Sequence, residues 1–183
     1  GNGTEPKTIK GPDIFVKTLI NLKKMNVPVF ALLLGPARGY VKNELKKNGI
    51  EFFHSYLKNY NELPFYYNLL DLYFISSREE GGPLGLLESL SCGVPVVSTP
   101  VGMSPEILNN KNGFISEIDT DILSEKIFSF YNQDRTKDLI NICRNSIEEF
   151  DWNKLSKIYY KKVYRPLLGG QWENSEIKIL RIY

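Results

Sequence analysis

The sequence predicts an α/β fold built on a doubly wound parallel sheet. Short apolar runs rich in branched residues alternate with longer amphipathic stretches along most of the chain. Those runs are apolar on both faces, which suits parallel strands covered by helices on each side. Crossovers between such strands are right-handed almost without exception.

Five runs read as buried strands: residues 27–34, 50–56, 72–77, 94–99 and 114–118. Amphipathic stretches at 13–24, 40–47, 61–68 and 84–92 read as the helices between them. In the first of these, Ile14, Phe15, Leu19 and Leu22 share one side. Punctuation agrees with the boundaries. Gly35-Pro36 ends the first strand, Gly93 suits a left-handed helix cap, and Asn112-Gly113 is a tight turn. Ser104-Pro105-Glu106 reads as a helix start with Ser at the cap.

From Asp121 onward the pattern is helical. Ile122, Ile127, Phe128 and Tyr131 mark one helix, and Leu139, Ile142, Cys143 and Ile147 a second. Trp152, Leu155, Tyr159 and Val163 mark a third, which Pro166 is expected to end. Gly169-Gly170 reads as a linker, and residues 176–183 alternate like a strand.

Bulk composition excludes several function classes. The chain has 183 residues and a net charge of +2, which predicts no strong attraction to nucleic acid. Two distant cysteines, Cys92 and Cys143, and one histidine, His54, give no metal-ligand spacing and no disulfide framework. The expectation is two reduced thiols in or near a core. No apolar run reaches the ~20 residues of a membrane span, and the amino terminus has no signal-peptide pattern. Neither a G-x-G-x-x-G fingerprint nor a Walker P-loop occurs.

Chemistry concentrates in residues 76–106, SSREEGGPLGLLESLSCGVPVVSTPVGMSPE. A buried strand runs into a loop with two acids and two glycines, and Pro83 then opens a helix. Such a loop brings backbone N–H groups and the positive helix end to the carboxyl edge of the sheet, where open parallel sheets bind ligands. That geometry suits a phosphate or diphosphate. Pro83 has no N–H, so the Leu84 and Gly85 amides are expected to carry the binding. Glu80 lies in the loop and Glu88 in the helix, among Leu84, Leu86, Leu87 and Leu90, which are expected to make that helix mostly buried. A carboxylate there can hold two neighbouring hydroxyls, as on a ribose. The alternative is that Glu88 faces solvent on the polar edge, and spacing alone does not choose.

These residues resemble the retaining glycosyltransferase family 4 of the GT-B fold, with its E-x7-E signature at Glu80 and Glu88. Residues 66–77 (YYNLLDLYFISS), Lys10-Gly11-Pro12-Asp13, the Gly-terminated strand at 32–35 and the closing stretch at 152–168 match the family's order. The resemblance covers about residues 1–168. It implies the Rossmann-like carboxy-terminal half of a GT-B enzyme, ending in helices. On that reading residues 1–150 bind a nucleotide sugar and lack the sheet's opening strand. Residues 151–168 are a closing helix, and 169–183 a linker and strand-like tail.

The resemblance further implies the following roles. Glu80 orients the donor sugar and Lys10 neutralises the leaving phosphate, unless Lys10 is only a solvated lysine beside a helix start. Glu88 holds the ribose, and backbone at Gly82, Leu84, Gly85 and Leu86 cradles the diphosphate. Ser55, Tyr56 and Leu57 meet the base. The donor would be UDP- or GDP-linked, with no metal and no cofactor. The acceptor, a glycan or lipid, would sit on an amino-terminal domain or partner chain outside these residues, so the isolated chain is expected to be inactive. Expected localisation is cytoplasmic, with peripheral association of the complete enzyme at the inner membrane face, and no nucleic-acid partner. The family's arginine after the opening strand has Asn2 or nothing at its place here, with Lys7 as the one further cation near Lys10 in that stretch. A non-catalytic nucleotide-sugar-binding module is therefore the alternative. Another doubly wound protein, such as a sugar-nucleotide epimerase or a regulatory domain, is the third reading.

Overall fold

In the computed structural model, residues 7–36, 38–132 and 137–168 are described. The chain divides into two compact units, with the boundary in sequence between Ile147 and Glu148.

In the first unit a single 3-10 turn, Thr8–Lys10, leads to Gly11. Gly11 has φ 57° and caps α1 (Pro12–Lys24), with Pro12 in its first turn. Then follow β1 (Phe30–Leu34), α2 (Gly39–Lys47), β2 (Glu51–Ser55), α3 (Leu63–Tyr67), β3 (Tyr73–Ile75), α4 (Leu84–Ser91), β4 (Val96–Ser98), α5 (Ser104–Ile107), β5 (Gly113–Ile115), α6 (Thr120–Tyr131) and α7 (Lys137–Asn145). The second unit holds α8 (Trp152–Tyr159), a π-helical turn (Tyr160–Tyr164) and α9 (Arg165–Leu167).

Among the described residues every strand pairing is parallel, and helix and strand alternate as expected. The strands form two hydrogen-bonded ladders, β1-β2 and β3-β4-β5, where the sequence suggested one sheet. The ladders nevertheless share a core. Ile14, Leu19 and Leu22 of α1 join Ala31 and Leu33 of β1 and Val97 of β4 in one apolar cluster. On β4 the neighbouring Val96 belongs to the opposite cluster, with Leu86 and Leu90 of α4, Ile107 of α5 and Cys143 of α7. Adjacent residues of a strand point to opposite faces, so helices cover both faces of the β3-β4-β5 ladder. That is the doubly wound arrangement.

Several boundaries and faces differ from the sequence expectation. β1 begins at Phe30, because Asn26 has φ 60° and Pro28 lacks an N–H. β5 begins one residue early, at Gly113, where a Cβ would stand 1.9 Å from the Val96 carbonyl oxygen. Asn112 beside it is fully buried, and its Nδ2 donates to the Ile107 carbonyl at 3.0 Å. Ser104 does not cap α5; Met103 does, while the Ser104 hydroxyl accepts from Ser98 Oγ at 3.0 Å. On α6 the buried face runs through Leu123 and Ile127, leaving Ile122 and Tyr131 exposed. Asp119 caps that helix by accepting from the Asp121 and Ile122 amides. On α7, Cys143 is buried and Ile142 exposed. The last helical stretch, α9, ends at Leu167, one residue beyond Pro166 and close to the expected end. The tail at 169–183 and Asn2 lie outside the described residues. Among the described residues no helix is long and apolar enough to cross a membrane.

Candidate functional site

The site grows from the carboxyl end of β3. Ser76 and Ser77 follow the strand and are buried. Their backbone is fixed by Thr99, whose amide donates to the Ile75 carbonyl at 3.0 Å and whose hydroxyl donates to the Ser77 carbonyl. The chain then leaves the sheet as the acidic loop. Its first residue, Arg78, ties that loop to the turn before α1. The Arg78 amide donates to the Ile9 carbonyl at 2.8 Å, and Nη1 donates to the Thr8 carbonyl at 2.7 Å. The guanidinium also clasps Asp13 with bonds of 2.8 and 2.6 Å. This partner holds the Asp13 carboxyl below its ordinary range. Ser76 Oγ adds a bond to the Lys10 carbonyl at 3.2 Å. Gly11 permits the approach, since a Cβ there would lie 1.8 Å from the Ser76 carbonyl oxygen.

Pinned in this way, Lys10 reaches across to Glu80. Its Nζ donates to Glu80 Oε1 at 2.5 Å, and Ser77 Oγ donates to the same oxygen at 2.9 Å. Glu80 Oε2 accepts nothing from the described residues. The loop continues over Gly102, which has φ 50° and packs on the Gly81 carbonyl. Pro83 then caps α4 without a side-chain bond. The Leu84 and Gly85 amides find no acceptor among the described residues, whereas the Leu86 amide donates to the Pro83 carbonyl at 2.9 Å. These are the unpaired donors of a helix start, beside a lysine, which is an anion-binding arrangement. Leu84 is 69% exposed, contrary to the expectation that it helps bury α4, while Leu86 and Leu90 are fully buried.

Two turns into α4, Glu88 is half-buried. Its Oε2 accepts from the Tyr67 hydroxyl at 2.8 Å, and its Oε1 accepts nothing from the described residues. Tyr67 is buried at the end of α3 and meets Tyr73 edge-on, with ring centroids 5.5 Å apart. Burial, with Tyr73 and Glu88 adding to it, pushes the Tyr67 phenol well above its ordinary range, so it acts as a donor. Tyr73 in turn lies against Gly85, where a Cβ would stand 2.3 Å from the Tyr73 hydroxyl oxygen.

The structure thus joins Lys10 to Glu80 and sets Gly82, Leu84, Gly85, Leu86 and Glu88 in order along one loop and helix. Ser55, Tyr56 and Leu57 lie at the carboxyl end of β2, and no hydrogen bond links them to either acid among the described residues. Tyr56 is 65% exposed. Lone His54 is structural, with Nε2 2.9 Å from the Gly35 carbonyl oxygen. A shallow cleft along α1, lined by Lys17, Tyr40, Glu44 and Asp121, contains neither acid. Sequence reasoning missed Arg78 and Tyr67 as parts of the site. A buried tyrosine needs a partner for its hydroxyl and a half-buried acid needs a donor, but periodicity does not say that these two meet.

Comparison with known proteins fits this geometry. Residues 5–146 match the family described as glycosyl transferases, group 1. The lipopolysaccharide core biosynthesis mannosyltransferase LpsB of Rhizobium meliloti is 32% identical over 106 residues, spanning 54% of this chain and 30% of that protein. The chain therefore spans about a third of the length of this curated relative. Among solved structures, sucrose-phosphate synthase from Thermosynechococcus elongatus superposes with a TM-score of 0.73 at 16% identity, over 89% of this chain and 43% of that one. The carboxy-terminal domain of a group 1 glycosyl transferase, LpcC of Francisella tularensis, gives 0.63 at 23% identity, over 84% and 82%. These structures show the shared fold, the α/β half of a GT-B protein. With most of its length matched by the family, this chain belongs to the group 1 glycosyltransferases.

Proposed function

We propose that this chain is the donor-binding half of a retaining, metal-independent glycosyltransferase. It would move a sugar from a UDP- or GDP-linked donor to a glycan or lipid acceptor held by a second domain or chain. The observation that carries this reading is shared by Glu80 and Glu88. Each acid has one oxygen held by the protein and one without a partner among the described residues. An open carboxylate oxygen accepts from sugar hydroxyls, so Glu80 orients the transferred sugar and Glu88 the ribose. The Leu84 and Gly85 amides receive the diphosphate, and Lys10 turns from Glu80 to the leaving phosphate. Ser55, Tyr56 and Leu57 meet the base. Similarity to a protein named for mannosyl transfer in lipopolysaccharide core biosynthesis supports a glycan or lipid acceptor. Cytoplasmic placement, with the complete enzyme at a membrane face, belongs to the same reading.

A second reading, a module that binds the nucleotide without transferring sugar, is favoured by one observation. Arg78, the arginine tied to the Lys10 turn, is committed to Asp13 and the Thr8 carbonyl. The test is calorimetric titration with UDP, GDP and their sugar conjugates, beside Glu88→Ala. Binding that weakens in the variant supports the donor site, and turnover of a bound conjugate separates enzyme from module. Folded protein that binds no nucleotide would overturn both.

A further inference from the structure

Glu88 and Glu80 are held in different ways. Glu80 is paired with a cation, Lys10. Glu88 is half-buried, yet no lysine, arginine or histidine pairs with it among the described residues. Its donor is a neutral phenol, Tyr67, at 2.8 Å. A cation would offer several donors and compete for both oxygens, whereas a phenol has one proton to give. It engages Oε2 and leaves both the negative charge and Oε1 available. Tyr67 is itself 7% exposed and braced edge-on by Tyr73, so its hydroxyl has little freedom. The carboxylate orientation is therefore set before any ligand arrives, which reduces the entropy lost on binding.

We propose that Tyr67 is a positioning residue for nucleotide binding, fixing Glu88 Oε2 so that Oε1 accepts from the neighbouring hydroxyls of a ribose. The proposal rests on the reading of Glu88 as the ribose acid, and its test separates the two. The full chain and its Tyr67→Phe and Glu88→Gln variants are titrated with UDP and GDP and with their 2′,3′-dideoxy counterparts, and each protein is melted to check folding. Tyr67→Phe keeps the ring and removes only the donor. It is expected to lower affinity for the tighter-binding ribonucleotide about three- to tenfold, the scale of one hydrogen bond, and to leave the dideoxy counterpart unchanged. Glu88→Gln is expected to reduce discrimination between the two ligands at least as much. Equal weakening of both ligands by Tyr67→Phe would mark a merely structural tyrosine and overturn the proposal. The same holds if Glu88→Gln removes discrimination and Tyr67→Phe does not. If Glu88→Gln leaves discrimination intact, or if neither ribonucleotide binds, the ribose reading falls and takes the proposal with it.

Discussion

Lys10 Nζ donates to Glu80 Oε1 at 2.5 Å, although 70 residues of chain separate the two. Lys10 is 53% exposed and Glu80 19%, so the pair contributes little to stability in water. Its consequence is local: a positive charge is held beside an acid at the mouth of an amide-lined helix start. Lys10→Met is therefore expected to leave the melting temperature nearly unchanged. It should weaken UDP binding about tenfold, the scale of a charge-assisted hydrogen bond, and leave uridine binding alone. Calorimetry with UDP and uridine checks this, and equal losses for both ligands would place Lys10 away from the phosphates.

Gly11 makes that lysine's position possible. With φ 57° and the Ser76 carbonyl 1.8 Å from a built Cβ, alanine is both strained and blocked by backbone. Gly11→Ala should destabilise the protein by about 2–3 kcal/mol, because neither the turn nor the strand end can yield cheaply. Gly81→Ala is the control, since among the described residues nothing lies within 4 Å of its Cβ, and its change should stay within about 0.5 kcal/mol. Urea unfolding of both variants decides, and similar costs would contradict the clash.

Gly85 tests the packing beneath α4. A Cβ there would meet the Tyr73 hydroxyl oxygen at 2.3 Å and its Cζ at 2.8 Å. At Gly82 the close atom among the described residues is the Met103 Cε, the end of a flexible side chain, at 2.9 Å. Gly85→Ala should cost about 1–3 kcal/mol and Gly82→Ala much less. Tyr73→Phe removes the hydroxyl oxygen but not Cζ, so the double variant should recover part of the loss. A coupling of about 0.5 kcal/mol or more in the double-mutant cycle is the expected reading, and strict additivity would be evidence against the contact.

The amides of Leu84 and Gly85, rather than those of the glycines before Pro83, are expected to report the diphosphate. Proton–nitrogen correlation spectra recorded with UDP and with uridine isolate the phosphate effect. The largest UDP-specific shifts should fall on Leu84 and Gly85, while shifts confined to Gly81 would contradict the assignment.

Much of this was legible because the informative signals were local. Apolar runs bounded by Gly35, Gly93 and Gly113 located the strands, and the spacing of Glu80 and Glu88 marked the candidate site. What escaped depends on distance in sequence. The Arg78 clasp on Asp13 spans 65 residues, and the Tyr67 bond to Glu88 spans 21. Nothing in helical or strand periodicity encodes such partners. Leu84 misled for a related reason, since leucines on a short helix say how many faces are apolar but not which one meets the sheet. On α6 the helix marked by Ile122, Ile127, Phe128 and Tyr131 is present, but its buried face runs through Leu123 and Ile127.

The Asp13–Arg78 clasp carries the pH prediction. The guanidinium holds the Asp13 carboxyl below the usual carboxylate range, chiefly through hydrogen bonding. A depressed carboxyl stabilises the folded state fully above the unfolded value, and that stabilisation is lost as pH falls through the folded one. Asp13→Asn should therefore be less stable than the native chain at about pH 7, and the difference should shrink as pH falls below about pH 4 and through the depressed folded value. Asp13 is 48% exposed and Arg78 38%, so solvent screening keeps the difference at or below about 1 kcal/mol, smaller still in high salt. Because the Arg78 guanidinium also holds the Thr8 carbonyl, a loosened guanidinium should slacken the Lys10 turn and lower UDP affinity in the same variant. Urea unfolding across pH, beside UDP titration at about pH 7, measures both effects. A stability difference that persists unchanged in acid would assign the Asp13 contribution to packing and not to its charge.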